Sequence, residues 1–239
     1  MNLILTLAFL FFIGSLSGWG LEVLFRRFIS KNNPERKWIN PGFCAGPYLP
    51  IYGFGLCIMY LIASVEKFNI VTSPVWEKVI LFLAMAVCMT AIEYIAGILI
   101  LKMIKVRLWD YSMEKWNIQG IICPKFSLIW TLLGAMYYFF IHPHILGALT
   151  WLSNNLAFSF FIGFFFGVFV IDAAQSMQLV AKLKKYAEEN NVVVRYEEIK
   201  AHIRNWHKEN KQKYSFFLPF KSSIPLSEHL KELRERSRK

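Results

Sequence analysis

The stretch VILFLAMAVCMTAIEYIAGILIL, Val79–Leu101, holds 23 residues and a single charged side chain, that of Glu93. An α-helix needs about 20 mainly apolar residues to cross a hydrocarbon core of about 30 Å. The stretch therefore predicts a membrane-spanning helix with one carboxyl group inside it. Other apolar runs of comparable length predict four further spans, at Leu3–Leu24, Tyr48–Val65, Ile121–Ile141 and Leu146–Ile171.

The 27 Lys and Arg residues alternate between the connections that join these runs. None precedes the first run, five follow it and two follow the second. Five follow the third when Lys125, near the start of the fourth run, is included; none follows the fourth and fifteen follow the fifth. Because Lys and Arg are retained in cytoplasmic loops, this pattern predicts an outside N-terminus, an inside C-terminus and five crossings. We predict an all-α, multi-pass protein of the cytoplasmic (plasma) membrane.

The chain is predicted to divide at about Lys182 into a five-helix membrane domain, 1–181, and a basic, partly helical cytoplasmic tail, 182–239. Apolar residues at helical spacing predict a helix that continues the fifth span, a break near Asn190–Asn191, and a second amphipathic helix that includes Ile199 and Ile203. The short segment His142–Ile145 predicts a tight turn between the fourth and fifth spans.

The net charge of +11 is concentrated in the loops and the tail. Anionic lipids attract Lys and Arg near the cytoplasmic surface, so we expect the lipid bilayer as the partner of these residues and no nucleic acid. The four cysteines show no C-x-x-C spacing and no companion histidines. The pattern therefore predicts no disulfide framework, no metal site and no cofactor.

Three acidic residues fall within or at the ends of the predicted spans: Glu22, Glu93 and Asp172. An ionisable group near the centre of a span costs at least about 2.5–3.5 kcal/mol, so each needs a partner or a watery cavity. Glu22 and Arg26 form an i,i+4 pair, which fits a structural and a functional role equally. Asp172 is expected to be solvated. Glu93 has no cation within two turns of its own helix, which favours a functional or inter-helix role.

The loops after the first and third spans carry the other polar candidates. The segment Gly42–Gly53 is rich in Pro and Gly, and it could form a re-entrant segment over a cavity or a stiff turn at a helix start. Asn40 precedes it. Asp110 and Asn117 follow the third span, where they could hydrogen-bond their own turn or reach across to the first loop.

An ordered set of motifs in these segments resembles the putative ABC-transporter type IV family of small bacterial integral membrane proteins. The motifs are Ser15-x-x-Gly18-Trp19-x-x-Glu22, Asn40-x-Gly42-Phe43-x-x-Gly46-Pro47-x-x-Pro50-Ile51-Tyr52-Gly53, Glu93-Tyr94, Trp109-Asp110-Tyr111-Ser112, Asn117-x-x-Gly120 and Phe126-Ser127-x-x-Trp130. The resemblance covers about residues 10 to 135, and the tail lies outside it. Pro41 and Thr131 depart from the family pattern, in which Arg and Gly are common at these positions. The resemblance implies a bacterial membrane protein of a transport system.

The chain contains no G-x-x-x-x-G-K-[ST], the motif that cradles ATP phosphates. We therefore predict a transport component served by a separate ATPase subunit, and its small size favours partners or a homo-oligomer. The predicted substrate site is a cytoplasm-facing polar cavity lined by Trp19, Glu22, Asn40, Glu93, Asp110 and Asn117. One alternative is an enzyme that acts on a lipid head group, with Glu93 or Asp110 as the general base. Another is a membrane adaptor that assembles partners through its tail.

Overall fold

The computed structural model describes residues 2–30, 33–68 and 73–238, and this part of the chain is mostly helical. Lys31, one of the five basic residues counted after the first run, lies outside the described residues. The α-helices are α1 (Leu3–Phe28), α2 (Pro50–Ser64), α3 (Pro74–Ile104), α4 (Pro124–Met136), α5 (His142–Asn154), α6 (Ser159–Glu189), α7 (Tyr196–Glu209) and α8 (Leu226–Arg238).

Within the described part of the chain, four helical stretches are long and apolar enough to cross a membrane: Leu3–Phe28, Val75–Ile104, Pro124–Asn154 and Leu156–Glu189. They confirm the membrane character that the sequence indicates. The second predicted span is shorter, because α2 has 15 residues and reaches about 22 Å. A 3₁₀ segment, Val65–Phe68, extends it to about 30 Å. The count of five crossings and the outside N-terminus remain predictions.

The helices bury a core of apolar side chains contributed by α1, α2, α3, α5, the start of α6 and the segment Tyr137–Ile141. Small residues let α1 and α2 approach closely, since a Cβ on Gly53 would lie 2.3 Å from Ser15 Oγ. The most apolar part of the helical stretch Leu156–Glu189 is largely exposed, since only 11% of it is buried within the protein. That apolar outer surface is suited to contact with lipid.

The turn predicted at His142–Ile145 is wrong, because this segment is the beginning of α5. The residues before it, Tyr137–Ile141, form a π-helical segment in which the His142 N–H bonds to the Tyr137 carbonyl, five residues back. This wider register carries the helix past Pro143, whose ring would clash with a regular α-helix interior. The helix ends instead at Asn154, and Asn155 with the 3₁₀ segment Leu156–Phe158 separates it from α6. The fourth and fifth predicted spans therefore have different bounds from those expected.

A two-residue parallel strand pair joins the exit of α3 to the tail. Strand β1 (Val106–Arg107) pairs with β2 (Val194–Arg195), with Val106 opposite Val194. This small pair departs from the all-α expectation. The second amphipathic helix predicted in the tail is present as α7, and the break before it follows Glu189. Because α6 passes through position 182 without interruption, the division of the chain there remains a prediction.

Side chains of the tail pack on the loops of the preceding part of the chain. Ile199, Ile203 and Leu230 form a buried cluster with Val106, and Phe43 of the first loop packs against it. The tail is thus docked on the ends of the helical bundle. This contact positions α7 beside the first loop, where part of the predicted site lies.

Candidate functional site

The polar site begins at the contact between α1 and α2. The ring of Tyr52 lies so close to α1 that a Cβ on Gly18 would be 2.2 Å from Tyr52 Cγ. Glycine at this position therefore leaves room for the Tyr52 side chain against α1. The Tyr52 hydroxyl then donates a hydrogen bond to Glu22 Oε2 at 3.3 Å, one turn further along α1.

Glu22 is held from its other side by the cation expected from the sequence. Arg26 Nε donates to Glu22 Oε1 at 3.0 Å, and the two side chains are 21% and 23% exposed. The predicted i,i+4 pair is present. Arg26 also donates to Glu197 Oε2 at 2.8 Å, so the same guanidinium reaches α7 of the tail.

Glu93 is buried inside α3, with 3% of its surface exposed. The hydroxyl of Tyr111 donates to Glu93 Oε1 at 3.0 Å, and the Tyr111 ring stacks on Phe126 with 4.3 Å between ring centroids. Trp130 approaches the same carboxyl group, yet among the described residues Glu93 Oε2 has no hydrogen-bond partner. One oxygen of this buried carboxyl therefore remains available to a ligand.

The groups around Glu22 and Glu93 belong to one neighbourhood, which we term the carboxylate cluster: Glu22, Tyr52, Glu93, Tyr111 and Trp130. Tyr52 and Trp130 are in ring contact, with centroids 5.2 Å apart. Tyr111 interacts electrostatically with Glu22 as well as with Glu93. The structure thus brings together two of the six predicted site residues, with an unpaired carboxylate oxygen between aromatic side chains.

Trp19 and Asn40 form a separate pair that organises the first loop. Trp19 Nε1 donates to Asn40 Oδ1 at 3.0 Å, and Asn40 is 1% exposed. Asn40 Oδ1 also accepts from the Gly42 amide, while Nδ2 donates to two loop carbonyls, those of Cys44 and Ala45. These bonds engage the Asn40 amide group fully. All of these contacts are with Trp19 and the first loop, so Asn40 fixes the conformation of that loop.

Asp110 and Asn117 stabilise the loop after α3. Asp110 accepts from Ser112 and forms ion pairs with Arg107 and Arg195, each at 3.1 Å. Burial opposes its ionisation, but the Ser112 bonds and the two guanidinium groups lower the pKa of Asp110 below its ordinary value. The partners of this carboxylate lie outside the carboxylate cluster. Of the two roles that the sequence left open for Asp110, the structure shows the local one, with an added ion pair to the tail.

Asn117 closes the same loop by bonds within its own turn. Its Nδ2 donates to the carbonyls of Ser112 and Glu114, and its Oδ1 accepts from the Gly120 amide at 2.9 Å. Gly120 has a φ of +67°, and a Cβ there would lie 2.1 Å from an Arg107 nitrogen. The loop thus presents Tyr111 to Glu93 as a rigid support.

Sequence reasoning missed the role of Asp172, which was expected to be solvated. Asp172 is half-buried in α6 and accepts from the amides of Ala45 and Gly46 at 3.1 and 2.7 Å. The Tyr48 hydroxyl and Ser176 Oγ donate to it as well. Asp172 therefore anchors the first loop to α6. The loop's Gly-Pro composition signalled an irregular backbone that needs such acceptors, but it did not reveal where they would come from.

The tail contributes a charged contact to the first loop. Lys200 Nζ donates to the Asn40 carbonyl at 2.7 Å and lies 3.4 Å from Glu197. Burial lowers the pKa of Lys200 to about 8, although Glu197 partly offsets this. Burial also opposes ionisation of Glu197, but Arg26 and Lys200 lower its pKa below the ordinary 4.5. These contacts are therefore charged near neutral pH.

An open groove of about 760 Å³ lies between α1 and the tail. Its walls are mainly apolar and aromatic, and they are formed by Trp19, Gly20, Val23, Leu24, Trp38, Tyr214 and Phe216. Of the six predicted site residues, Trp19 lines this groove. The polar cavity roofed by Gly42–Gly53 remains a prediction.

Comparison with known families extends the resemblance noted in the sequence. The family model of the putative ABC-transporter type IV proteins matches residues 9–177, which is 169 of the 239 residues. The chain belongs to this family. The match includes all six predicted site residues, α5 and most of α6, whereas α7 and α8 lie beyond it. A search of curated proteins and one of solved structures gave no match.

Proposed function

We propose that the chain is the membrane component of a transport system and that Glu93 binds the transported solute or a coupling cation. The observation that carries this proposal is the unpaired Oε2 of Glu93 among the described residues. This residue is only 3% exposed and lies within an apolar helix long enough to cross a membrane. Membership of the putative ABC-transporter type IV family agrees with a role in transport.

A buried carboxylate oxygen without a hydrogen-bond partner is costly. A buried acceptor without a partner costs about 1–3 kcal/mol, and more when the group is charged. Tyr111 satisfies one oxygen and keeps the carboxyl in a fixed orientation. The other oxygen gains the most from a proton or from a cationic group of a ligand. Such a group would compensate for the cost only while it is bound, which suits reversible binding.

Aromatic side chains shape the surroundings of this carboxyl. Tyr52 and Trp130 contact each other beside it, and both present π-faces that attract cations. A solute with a positively charged or hydrogen-bond-donating group fits this environment. Glu22 adds a second carboxylate, whose charge is balanced by Arg26.

The energy source and the assembly are part of the same proposal. Because the sequence has no phosphate-binding loop, a separate ATPase subunit would drive transport. We further propose five crossings with the N-terminus outside, so that the docked tail faces the ATPase. A homo-oligomer would enlarge the small bundle, and the basic loops would contact anionic lipids.

The test compares Glu93→Gln with Glu114→Gln, a matched change in an exposed loop pair with Lys125. Each variant is expressed at equal membrane abundance in a strain that lacks the gene, and the solutes inside and outside the cells are profiled. We expect wild type and Glu114→Gln to restore the solute profile, while Glu93→Gln fails to do so although it remains folded and inserted.

Restoration of the profile by Glu93→Gln would contradict the proposal and leave Glu93 as a structural contact between helices. A deletion that changes membrane lipids and leaves solutes unchanged would also contradict it. That result would favour the alternative in which the carboxylate cluster acts on a lipid head group.

A further inference from the structure

The packing of α7 against α8 brings together three side chains that can bind a metal ion. His202 lies on α7, and His229 and Glu232 lie three residues apart on α8, on the same face of the helix. Ile203 and Leu230, which are adjacent in sequence to the two histidines, are buried together in the tail cluster. The same apolar contact that holds the helices together therefore brings the two imidazole rings together, edge to face.

The distances within this group are short. One ligand atom from each of the three residues lies within 4.8 Å of the other two. His202 Nε2 and Glu232 Oε2 are 3.2 Å apart, and the two imidazole centroids are 5.4 Å apart. Donor atoms around a tetrahedral Zn²⁺ are about 3.3 Å from one another, given metal–ligand bonds of about 2.0 Å. Small side-chain rotations would thus close the group around an ion.

His229 is already oriented as a metal ligand usually is. Its Nε2 is hydrogen-bonded to Ser222 Oγ at 2.9 Å, and the residue is fully buried. Among the described residues, its Nδ1 is buried without a hydrogen-bond partner. In metal sites, the second ring nitrogen of a ligating histidine is typically bonded in this way, which fixes the ring. Trp206 packs edge-on against His229, with centroids 5.2 Å apart, and shields it.

We propose that His202, His229 and Glu232 bind a divalent transition-metal ion, most suitably Zn²⁺, that fastens α8 to α7. Two imidazoles and one carboxylate match the ligand set of zinc sites that keep a fourth position open. Glu232 is 44% exposed, so water can reach that position. A site of purely oxygen ligands would instead suit Mg²⁺ or Ca²⁺.

Bound metal would stabilise the tail where it contacts the rest of the protein. The helix α7 that carries His202 also carries Glu197 and Lys200, which bond to Arg26 and to the first loop. Metal binding to the folded tail adds its binding free energy to the stability of the α7–α8 contact. The ion is therefore placed to regulate how firmly the tail is held.

The test uses the full chain, purified in detergent with an affinity tag free of histidine and stripped with a chelator. Co²⁺ serves as a spectroscopic probe, and Zn²⁺ is measured by competition and by metal analysis. We expect about one ion per chain, with the visible absorption of four-coordinate Co²⁺, which Zn²⁺ displaces. Zn²⁺ should also slow amide hydrogen exchange in α8.

Three variants decide between the site and other metal binding. Glu232→Gln changes a half-exposed side chain, so it should preserve the fold and weaken binding at least about tenfold. His229→Gln should abolish binding. Glu228→Gln, which changes an exposed side chain in the first turn of α8 that is not part of the group, should bind as wild type does. Absence of Zn²⁺ and Co²⁺ binding to the wild type, or equal binding by wild type and Glu232→Gln, would overturn the proposal.

Discussion

Substitution of Gly18 by alanine tests whether the α1–α2 contact supports the carboxylate cluster. The added Cβ would lie 2.2 Å from Tyr52 Cγ and 2.3 Å from Tyr52 Cβ. Because Tyr52 Cβ is bonded directly to the backbone, rotation of the ring alone does not relieve the clash. The two helices must separate, and the Tyr52 hydroxyl then moves away from Glu22.

Gly20 provides a matched control on the same helix, since a Cβ there would meet nothing within 4 Å. Both substitutions gain about 1 kcal/mol of helix propensity, which cancels when the two variants are compared. The remaining difference is the cost of overpacking. Ordinary contact begins near 3.4 Å, so α1 and α2 must part by about 1 Å at Gly18. Such shifts cost about 1–3 kcal/mol.

The free energy of unfolding is measured by titrating SDS into detergent micelles and following circular dichroism. We expect Gly18→Ala to be less stable than Gly20→Ala by about 1–3 kcal/mol. Gly53→Ala, which places a Cβ 2.3 Å from Ser15 Oγ across the same contact, should also destabilise the protein. Equal stability of the Gly18 and Gly20 variants would refute this account of the helix contact.

Three further predictions concern the tail, the first loop and the topology. Glu197→Gln should speed hydrogen exchange in α7 and cost about 1 kcal/mol, because the carboxylate is 38% exposed. The ion pair should survive mild acid: the pKa of Glu197 is lowered, so its contribution is complete above pH 4.5 and is lost as the pH falls through the lowered value. Asp172→Ala should cost about 2–4 kcal/mol by removing the acceptor of two loop amides, and it should expose the buried thiol of Cys44 to labelling. In a chain without native cysteines, Asn154→Cys should react from outside the cell and Lys115→Cys only after permeabilisation.

Control variants and contrary results can be named for these three predictions. Glu198→Gln, which breaks only an exposed pair with Arg195, should leave exchange in α7 nearly unchanged. Ser176→Ala removes one of the donors to Asp172 and should keep Cys44 protected. Equal exchange in the two glutamate variants, labelling of Cys44 in both loop variants, or labelling of Lys115→Cys in intact cells would each contradict the corresponding prediction.

Hydropathy was sufficient to predict the apolar helices because burial in lipid depends on the composition of about 20 residues at once. The run Val79–Leu101 lies within α3. The prediction of a turn at His142–Ile145 was wrong. It followed the sequence, in which proline and histidine usually favour an exposed turn, whereas the segment begins α5. One π-helical segment carries the helix past Pro143, and the sequence contains no local sign of that register.

The candidate site was predictable only in its acids. A carboxyl in an apolar run is conspicuous, so Glu22 and Glu93 could be identified from sequence. Their hydroxyl donors, Tyr52 and Tyr111, lie 30 and 18 residues away in the sequence. From sequence alone, both are typical of the aromatic residues found at membrane interfaces. Asp110 was also a reasonable site candidate from its residue type. In the structure, however, it forms ion pairs with Arg107 nearby in sequence and with Arg195 of the tail. Pairings across the fold decide these roles, and composition does not report them.

The tail lies outside the family match, yet Arg26 of α1 connects it to the carboxylate cluster. This guanidinium donates to Glu22 in the cluster at 3.0 Å and to Glu197 in α7 at 2.8 Å. Its planar fork allows one cation to serve two carboxylates at once. Neutralising either acid leaves Arg26 with a single anionic partner, so the energies of Glu22 and Glu197 should not be additive in a double-mutant cycle. A ligand that changed the charge of the cluster would therefore act on the docking of the tail through this side chain. This contact gives the tail a physical connection to the buried site that does not depend on the continuity of α6.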